Sequence, residues 1–163
     1  MYLLDANVFI QAKNTYYSFD VCPGFWNWII QARAEGKIAS ITSVFQELRA
    51  GNDYLKDWAS EHQEIFLPTE KEENISVALQ AVSTWVYNQN YHGSAISSFL
   101  SQADYYICAH ALAGGHTIIT HEQPQPESKK RVLIPDVCLG LKIQYQSIHS
   151  LLQNEKARFI LET

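Results

Sequence analysis

The sequence predicts an α/β domain in which a parallel central sheet of about four to five strands is flanked by helices. Short apolar runs alternate with longer segments of helical period, in the approximate order β-α-β-α-α-α-α-β-β-β-α. This alternation is typical of parallel strands joined by crossover helices. The chain has 163 residues, of which 47% are apolar, so it can bury a sizeable core. We therefore expect residues 1–163 to form a single domain.

The predicted strands are short apolar runs that end at polar residues or at turns. The first run ends at Asp5, and a later one contains Ile118 and Ile119. Both runs are short and apolar, as is typical of buried strands in a parallel sheet. The strands are predicted at residues 2–4, 37–41, 116–120, 132–134 and 142–145.

The predicted helices are recognised by apolar spacing and by residues that favour helix ends. Pro23 suits the first turn of a helix, and Gly36 suits its end. Capping boxes pair Ser43 with Gln46 and Thr69 with Glu72, and Ser147 is expected to cap the last helix. The helices are predicted to cover residues 23–36, 43–50, 75–86 and about 102–113, with one more following residue 147.

The composition and the N-terminus exclude several classes of protein. A carboxylate at Asp5 comes too early for a signal peptide or a membrane span, which predicts a cytoplasmic protein. The three cysteines are odd in number and form no C-x-x-C pair, so we expect buried free thiols. The net charge of −5 differs from the basic balance usual in nucleic-acid binders, but cations bound among clustered acids would cancel part of it locally.

Four acidic residues are placed where the carboxyl ends of parallel strands form a crevice. Asp5 follows the first strand, and Glu122 lies two residues past the strand at 116–120. Glu47 lies in the helix after the second strand, and Asp104 begins the helix before residues 116–120. The crevice at this edge is the usual ligand site of such sheets, and Mg²⁺ and Mn²⁺ prefer oxygen ligands. The pattern predicts a catalytic site in which all four carboxylates hold a hard cation.

Each of the four acids also has a purely structural interpretation. Asp5 could be a turn or cap residue, and Glu47 a solvated residue on a helix face. Asp104 could favour the helix dipole, and Glu122 could be an ordinary loop acid. The order and spacing of the four together favour the metal site.

The residues beside the acids are candidates for supporting roles. Asn7 and Thr120 are predicted to hydrogen-bond to the carboxylates, although Asn7 could instead form an Asx turn. His121 is either a proton carrier or an exposed loop histidine. Basic residues near the crevice could contact substrate, although a short basic run is usually only solvated. The basic candidates are Lys13, Arg49, Lys129, Lys130 and Arg131.

The segments that carry the four acids resemble the PIN-domain ribonucleases, the group that includes VapC-type toxins. These segments are Leu4-Asp5-Ala6-Asn7, Val44-Phe45-Gln46-Glu47-Leu48, Ala103-Asp104-Tyr105-Tyr106-Ile107 and Thr120-His121-Glu122. The resemblance spans residues 2 to about 145, with a glutamate in the fourth position where aspartate is common. Aromatic residues at 16–26 and 53–58 resemble an uncharacterised PIN-like branch, and we interpret them as core.

The resemblance implies a PIN-like fold and Mg²⁺- or Mn²⁺-dependent endonucleolytic cleavage of RNA by metal-activated water. Asp5, Glu47 and Asp104 would hold one metal ion, and Glu122 with Asp5 would help to hold a second. The resemblance further implies a toxin with a cognate antitoxin, and a homodimer.

Two other functions are alternatives to this one. The same fold could serve as a protein- or nucleic-acid-binding module with weak or no catalysis. A phosphatase with an aspartyl nucleophile at Asp5 is disfavoured, because such enzymes generally have a second aspartate where this chain has Asn7.

Overall fold

Five short parallel strands form the centre of the computed structural model, which describes residues 1–68 and 73–161. The strands are β1 (Tyr2–Leu4), β2 (Ile38–Ile41), β3 (Phe66–Leu67), β4 (Thr117–Ile119) and β5 (Tyr145–Gln146). Their order across the sheet is β3-β2-β1-β4-β5, and each neighbouring pair is parallel. The predicted α/β domain with a parallel sheet flanked by helices is confirmed, and it matches the description of a PIN-like fold.

The helices of the described ranges precede, follow or connect these strands. They are α1 (Ala6–Asn14), α2 (Pro23–Ala34), α3 (Thr42–Ala50), α4 (Tyr54–Glu61), α5 (Glu73–Tyr87), α6 (Gly93–Leu100), α7 (Ala103–Gly114), α8 (Ile134–Leu141) and α9 (Ile148–Asn154). A short 3-10 helix, Gln63–Ile65, leads into β3. In the part of the chain that the structure describes, every helix is too short or too polar to cross a membrane.

The sheet has its topological switch point between β1 and β4. From β1 the chain continues to β2 and β3 on one side of the sheet, whereas β4 and β5 lie on the other. Leu3, Leu4, Ile118 and Ile119 are fully buried, as expected for central strands that are covered on both faces. Ligands of such sheets bind at the switch point, outside the carboxyl ends of the strands.

Of the two strands predicted near the C-terminus, the one at residues 132–134 is wrong, and the one at residues 142–145 is present as β5 but begins later than predicted. Residues 132–134 lead into α8, which starts at Ile134 and has Pro135 in its first turn. Of residues 142–145, only Tyr145 belongs to a strand, because Lys142 adopts a left-handed φ of 58° that ends α8. In both cases the apolar residues are buried by packing onto the core, and a short apolar run does not separate that role from a strand.

One predicted helix cap is confirmed and another is wrong. Ser147 does cap α9, since its Oγ accepts a hydrogen bond from the Ser150 N–H at 3.1 Å. The capping box at Ser43 is wrong, because α3 already begins at Thr42 and has no side-chain cap. The box of Thr69 and Glu72 lies outside the described residues. The sequence also did not indicate α1 as a helix, although its apolar residues are regularly spaced.

A buried hydroxyl joins the second strand to the first directly before Asp5. The Ser40 side chain is fully buried, and its Oγ–H donates a 2.7 Å hydrogen bond to the Leu4 carbonyl. Replacing Ser40 with alanine should cost about 1–2 kcal/mol, because it removes a buried hydrogen bond. The midpoint of thermal unfolding should fall by roughly 2–8 °C. Calorimetry of Ser40→Ala beside Ser97→Ala, at an exposed serine, tests this, and equal midpoints for the two variants would contradict it.

Candidate carboxylate site at the switch point

Asp5 lies at the end of β1 and is buried by the neighbouring strand. Its backbone N–H donates a 3.0 Å hydrogen bond to the Ile119 carbonyl, and its side chain is only 1% exposed. The Thr120 Oγ1–H donates to Asp5 Oδ2 at 3.1 Å. Asp5 precedes α1, but its side chain makes no capping hydrogen bond to that helix. The carboxylate is therefore held at the sheet edge by β4.

Asp104 brings a second desolvated carboxylate to this edge from the first turn of α7. Burial is the main cause that raises the pKa of Asp5 to about 8, followed by the charges of Asp104 and Glu122. Burial also raises the pKa of Asp104 to about 7, and the charges of Glu122 and Glu47 add to this. Charge interactions thus link Asp5, Asp104 and Glu122, and they link Glu47 to this group only through Asp104.

Glu122 is held by two hydrogen bonds from the segment that follows it. Its Oε1 accepts from Arg131 Nη2 at 3.0 Å, and its Oε2 accepts from the Ile134 N–H at 2.8 Å. Its own N–H donates to Thr120 Oγ1 at 3.1 Å. Burial raises the pKa of Glu122, although the Ile134 N–H and Arg131 act in the opposite direction. Thr120 therefore connects Asp5 and Glu122 through a single hydroxyl.

Glu47 lies on α3 and is exposed. Its Oε1 accepts a 3.1 Å hydrogen bond from the backbone N–H of Ala103, the residue before Asp104. This bond ties α3 to the start of α7. Glu47 also lines a groove of about 700 Å³ together with residues of α5 and α7.

The predicted supporting residues differ in their contacts. Thr120 hydrogen-bonds to Asp5, as described above. Asn7 is half-buried, and its side chain has no hydrogen bond to the residues that the structure describes. His121 is half-buried too, and burial lowers its pKa.

The five basic candidates make different contacts in the structure. Lys13 pairs with Asp53, and the Arg49 guanidinium lies 5.4 Å from the centre of the Phe45 ring. Lys129 lies over the ring of Tyr91, at 5.0 Å. Lys130 and Arg131 line a cavity of about 300 Å³ beside α6. Arg131 is the basic candidate that contacts one of the four acids directly.

The oxygen atoms of these carboxylates are suitable ligands for a hard cation, but the side chains are not arranged around a common point. Within residues 1–68 and 73–161, no group of three or more His, Cys, Asp or Glu side chains is arranged to hold a metal ion. Glu47 and Glu122 each point an oxygen at a backbone N–H. The donors are all carboxylate oxygens, however, and two of them are desolvated beside like charges, which a bound cation would relieve. The residue types therefore fit Mg²⁺ or Mn²⁺.

Sequence reasoning missed two features near this site. Asp136 is buried and accepts hydrogen bonds from the Gln125 N–H at 3.0 and 3.2 Å, which fixes the loop after Glu122. Its position after Ile134-Pro135 indicates only a helix start. Tyr17 stacks on Phe25 as expected of a core residue, but Tyr16 is 86% exposed, so its interpretation as core is wrong. Nothing in the sequence distinguishes these adjacent tyrosines.

The fold and the site together define an α/β domain with a PIN-like fold and clustered acids at its switch point. Residues 2–159 match the model of one protein family, described as a domain of unknown function, DUF4411, and the chain belongs to that family. No curated protein and no solved structure matches the chain.

The raised pKa values predict that the protein without divalent cations loses stability as the pH rises. In the unfolded chain Asp5 ionises near its ordinary pKa of 3.8, whereas in the folded protein it keeps its proton up to about pH 8. Between these values the folded state binds more protons, so the free energy of unfolding decreases with pH and then levels off. Asp104 acts in the same direction, up to about pH 7.

Asp5→Asn should remove the part of this dependence that comes from Asp5. At about 1.4 kcal/mol for each pKa unit, the expected gain over the unmodified protein near pH 8.5 is on the order of a few kcal/mol. Thermal unfolding in EDTA between about pH 5 and pH 9 measures it. Asp20→Asn, at an exposed position, is the matched control. Parallel curves for Asp5→Asn and the unmodified protein would refute the burial of an ionisable carboxylate here.

Proposed function

We propose that this protein is a divalent-metal-dependent endoribonuclease that hydrolyses RNA phosphodiester bonds with Mg²⁺ or Mn²⁺. The observation that carries the proposal is the placement of the buried Asp5 and the half-buried Asp104 at the switch point of a parallel sheet, where the charge of Asp104 raises the pKa of Asp5. Such an arrangement is unfavourable without a proton or a cation, and strongly shifted pKa values are typical of functional sites. RNA as the substrate is supported by the resemblance of the four acidic segments to PIN-domain ribonucleases.

Asp5, Glu47 and Asp104 would hold one cation, and Glu122 with Asp5 would help to hold a second. A carboxylate oxygen has two lone pairs, so Glu47 and Glu122 can keep their hydrogen bonds to Ala103 and Ile134 while they contact a cation. Those bonds then orient the carboxylates. When bound, Mg²⁺ or Mn²⁺ supplies Lewis-acid chemistry, which activates water and neutralises charge on the phosphodiester.

The chain's own residues orient the reacting groups. In the hydrolysis the water oxygen bonds to phosphorus, the bond to the 3′ oxygen breaks, and a proton from the water ends on that oxygen. Thr120 orients Asp5 through its hydroxyl. The Arg131 side chain is 67% exposed and pairs with Glu122, so its remaining N–H groups are available to a phosphate. Lys130, in the same cavity, adds a second positive charge.

The cellular role follows from the same resemblance. We infer a cytoplasmic toxin that forms a homodimer and is held inactive by a cognate antitoxin. Lys13, Arg49 and Lys129 have contacts that do not require substrate, so we place substrate binding at Lys130 and Arg131 first.

A second candidate function is a binding module with the same fold and little catalysis. It is favoured by the lack, within the described residues, of three ligands already arranged around one point. The two candidates differ in one property, because only the enzyme requires the acids to bind a divalent cation.

Metal binding should therefore raise the thermal midpoint. At a Mn²⁺ concentration of 100 times the dissociation constant, a ligand stabilises the folded state by about 2.7 kcal/mol, or roughly 5–11 °C. Asp104→Asn should lose most of this shift, and Asp20→Asn should keep it. The measurement is thermal unfolding at increasing Mn²⁺, with Ca²⁺ as a comparison. The same small shift in all three proteins would support the binding module.

Cleavage itself should depend on Asp5 and Asp104 as a unit. Asp5→Asn and Asp104→Asn should each lower the rate of RNA cleavage in Mn²⁺ by on the order of 100-fold or more, because residues of one site act together. A labelled single-stranded RNA, resolved by gel after incubation, gives the rate, and EDTA should abolish cleavage. Asp20→Asn, purified in parallel, controls for contaminating nucleases. If the two variants cut as fast as that control, the aspartates have no part in the reaction.

A further inference from the structure

A pocket of about 370 Å³ lies between α1, α9 and the residue that follows Thr120. Its apolar lining includes Val8, Ala12 and Ile148, and its polar lining includes His121 and His149. Tyr16 and Tyr17 form part of the wall. The volume is in the range of about 300–1,000 Å³ that small-molecule sites occupy.

Two residues that line this pocket, Val8 and His121, lie in the chain segments that carry Asp5 and Glu122. His121 stands between Thr120, which hydrogen-bonds to Asp5, and Glu122. The Val8 N–H donates a 3.1 Å hydrogen bond to the Asp5 carbonyl, in the first turn of α1. A molecule in the pocket would therefore contact residues of the chain segments that carry Asp5 and Glu122.

The two tyrosines of the wall have different surroundings. Tyr17 stacks on Phe25 with their ring centres 4.6 Å apart, and its carbonyl accepts a 2.7 Å hydrogen bond from Trp26 Nε1–H. It is thus fixed by the core. Tyr16, in contrast, is 86% exposed beside the pocket. Its ring packs against no other aromatic ring among the described residues, and its side chain makes no hydrogen bond to them. An exposed ring beside a partly apolar pocket is available to stack on a flat ligand.

The lining favours an uncharged aromatic ligand with polar edges over a phosphate. No Lys or Arg is among the described residues that line the pocket, whereas the Lys130 and Arg131 cavity offers both. The apolar floor suits a flat ring, and the His121, His149 and Gln11 side chains can hydrogen-bond to its edge. Unpaired nucleobases have these properties and are commonly bound by stacking on aromatic side chains.

We propose that this pocket binds an unpaired nucleobase of the substrate, adjacent to the phosphodiester that is cleaved, with Tyr16 stacking on the base. The inference rests on the proposed function, which supplies the nucleic acid. It adds that the substrate is single-stranded at this position, because a base within a duplex cannot leave its stack to enter the pocket without a cost.

Nucleosides without phosphate test the pocket separately from the acids. The protein in EDTA is titrated with adenosine, guanosine, cytidine and uridine, while the ring-proton NMR signals of His121 and His149 are followed. At least one nucleoside should shift both signals. Tyr16→Ala should weaken its binding by about tenfold, and Tyr16→Phe, which keeps the ring, should bind as the unmodified protein does. Tyr87→Ala, at a tyrosine of α5 that is 63% exposed, should leave binding unchanged.

The outcomes separate this inference from the proposed function. If no nucleoside moves either histidine signal at millimolar concentration, or if Tyr16→Ala and Tyr87→Ala bind equally, the nucleobase site is overturned even when RNA is cleaved. If nucleosides bind in a Tyr16-dependent way but RNA stays intact in Mn²⁺, the nucleobase site stands and the nuclease proposal fails.

Discussion

The parallel pairing of β1 with β4 is the constraint on which the rest of the site depends. It aligns Leu4 with Ile119, so that both strands end at the same level of the sheet. Asp5 and Thr120 then follow side by side, and one hydroxyl can reach the carboxylate of the first and the backbone of Glu122. A shift of this register by one residue would turn each side chain to the opposite face and separate the acids.

The site combines two effects that are unfavourable in a folded protein. Asp5 is removed from water and Asp104 is partly so, and both are placed near other negative charges. The surrounding core, with Leu4 and Ile119 fully buried, keeps them there because the strands cannot move without loss of packing. Rigid hydrophobic packing thus maintains an electrostatic arrangement that the carboxylates alone would not adopt.

The sequence was most informative where a residue's role follows from its neighbours in the chain. Asp5 comes directly after a buried strand, and the ends of α2 and α7 coincide with Gly36 and Gly115, both of which have positive φ. It was least informative where tertiary contacts decide. The two bonds that hold Glu122 come from residues nine and twelve positions away, and no local pattern encodes them. The exposure of Tyr16 beside the buried stack of Tyr17 is equally a property of the folded chain.

Two of the four acids accept hydrogen bonds from the N-termini of helices in which they do not lie. Glu47 accepts the hydrogen bond of the first N–H of α7, and Glu122 accepts that of the first N–H of α8, while neither helix has a capping side chain of its own. These glutamates are therefore helix caps supplied from a distance. Truncating either one would loosen a helix as well as remove a charge, so an inactive alanine variant would say little about chemistry. Glutamine, which keeps the acceptor oxygen, separates the structural role from the ionic one.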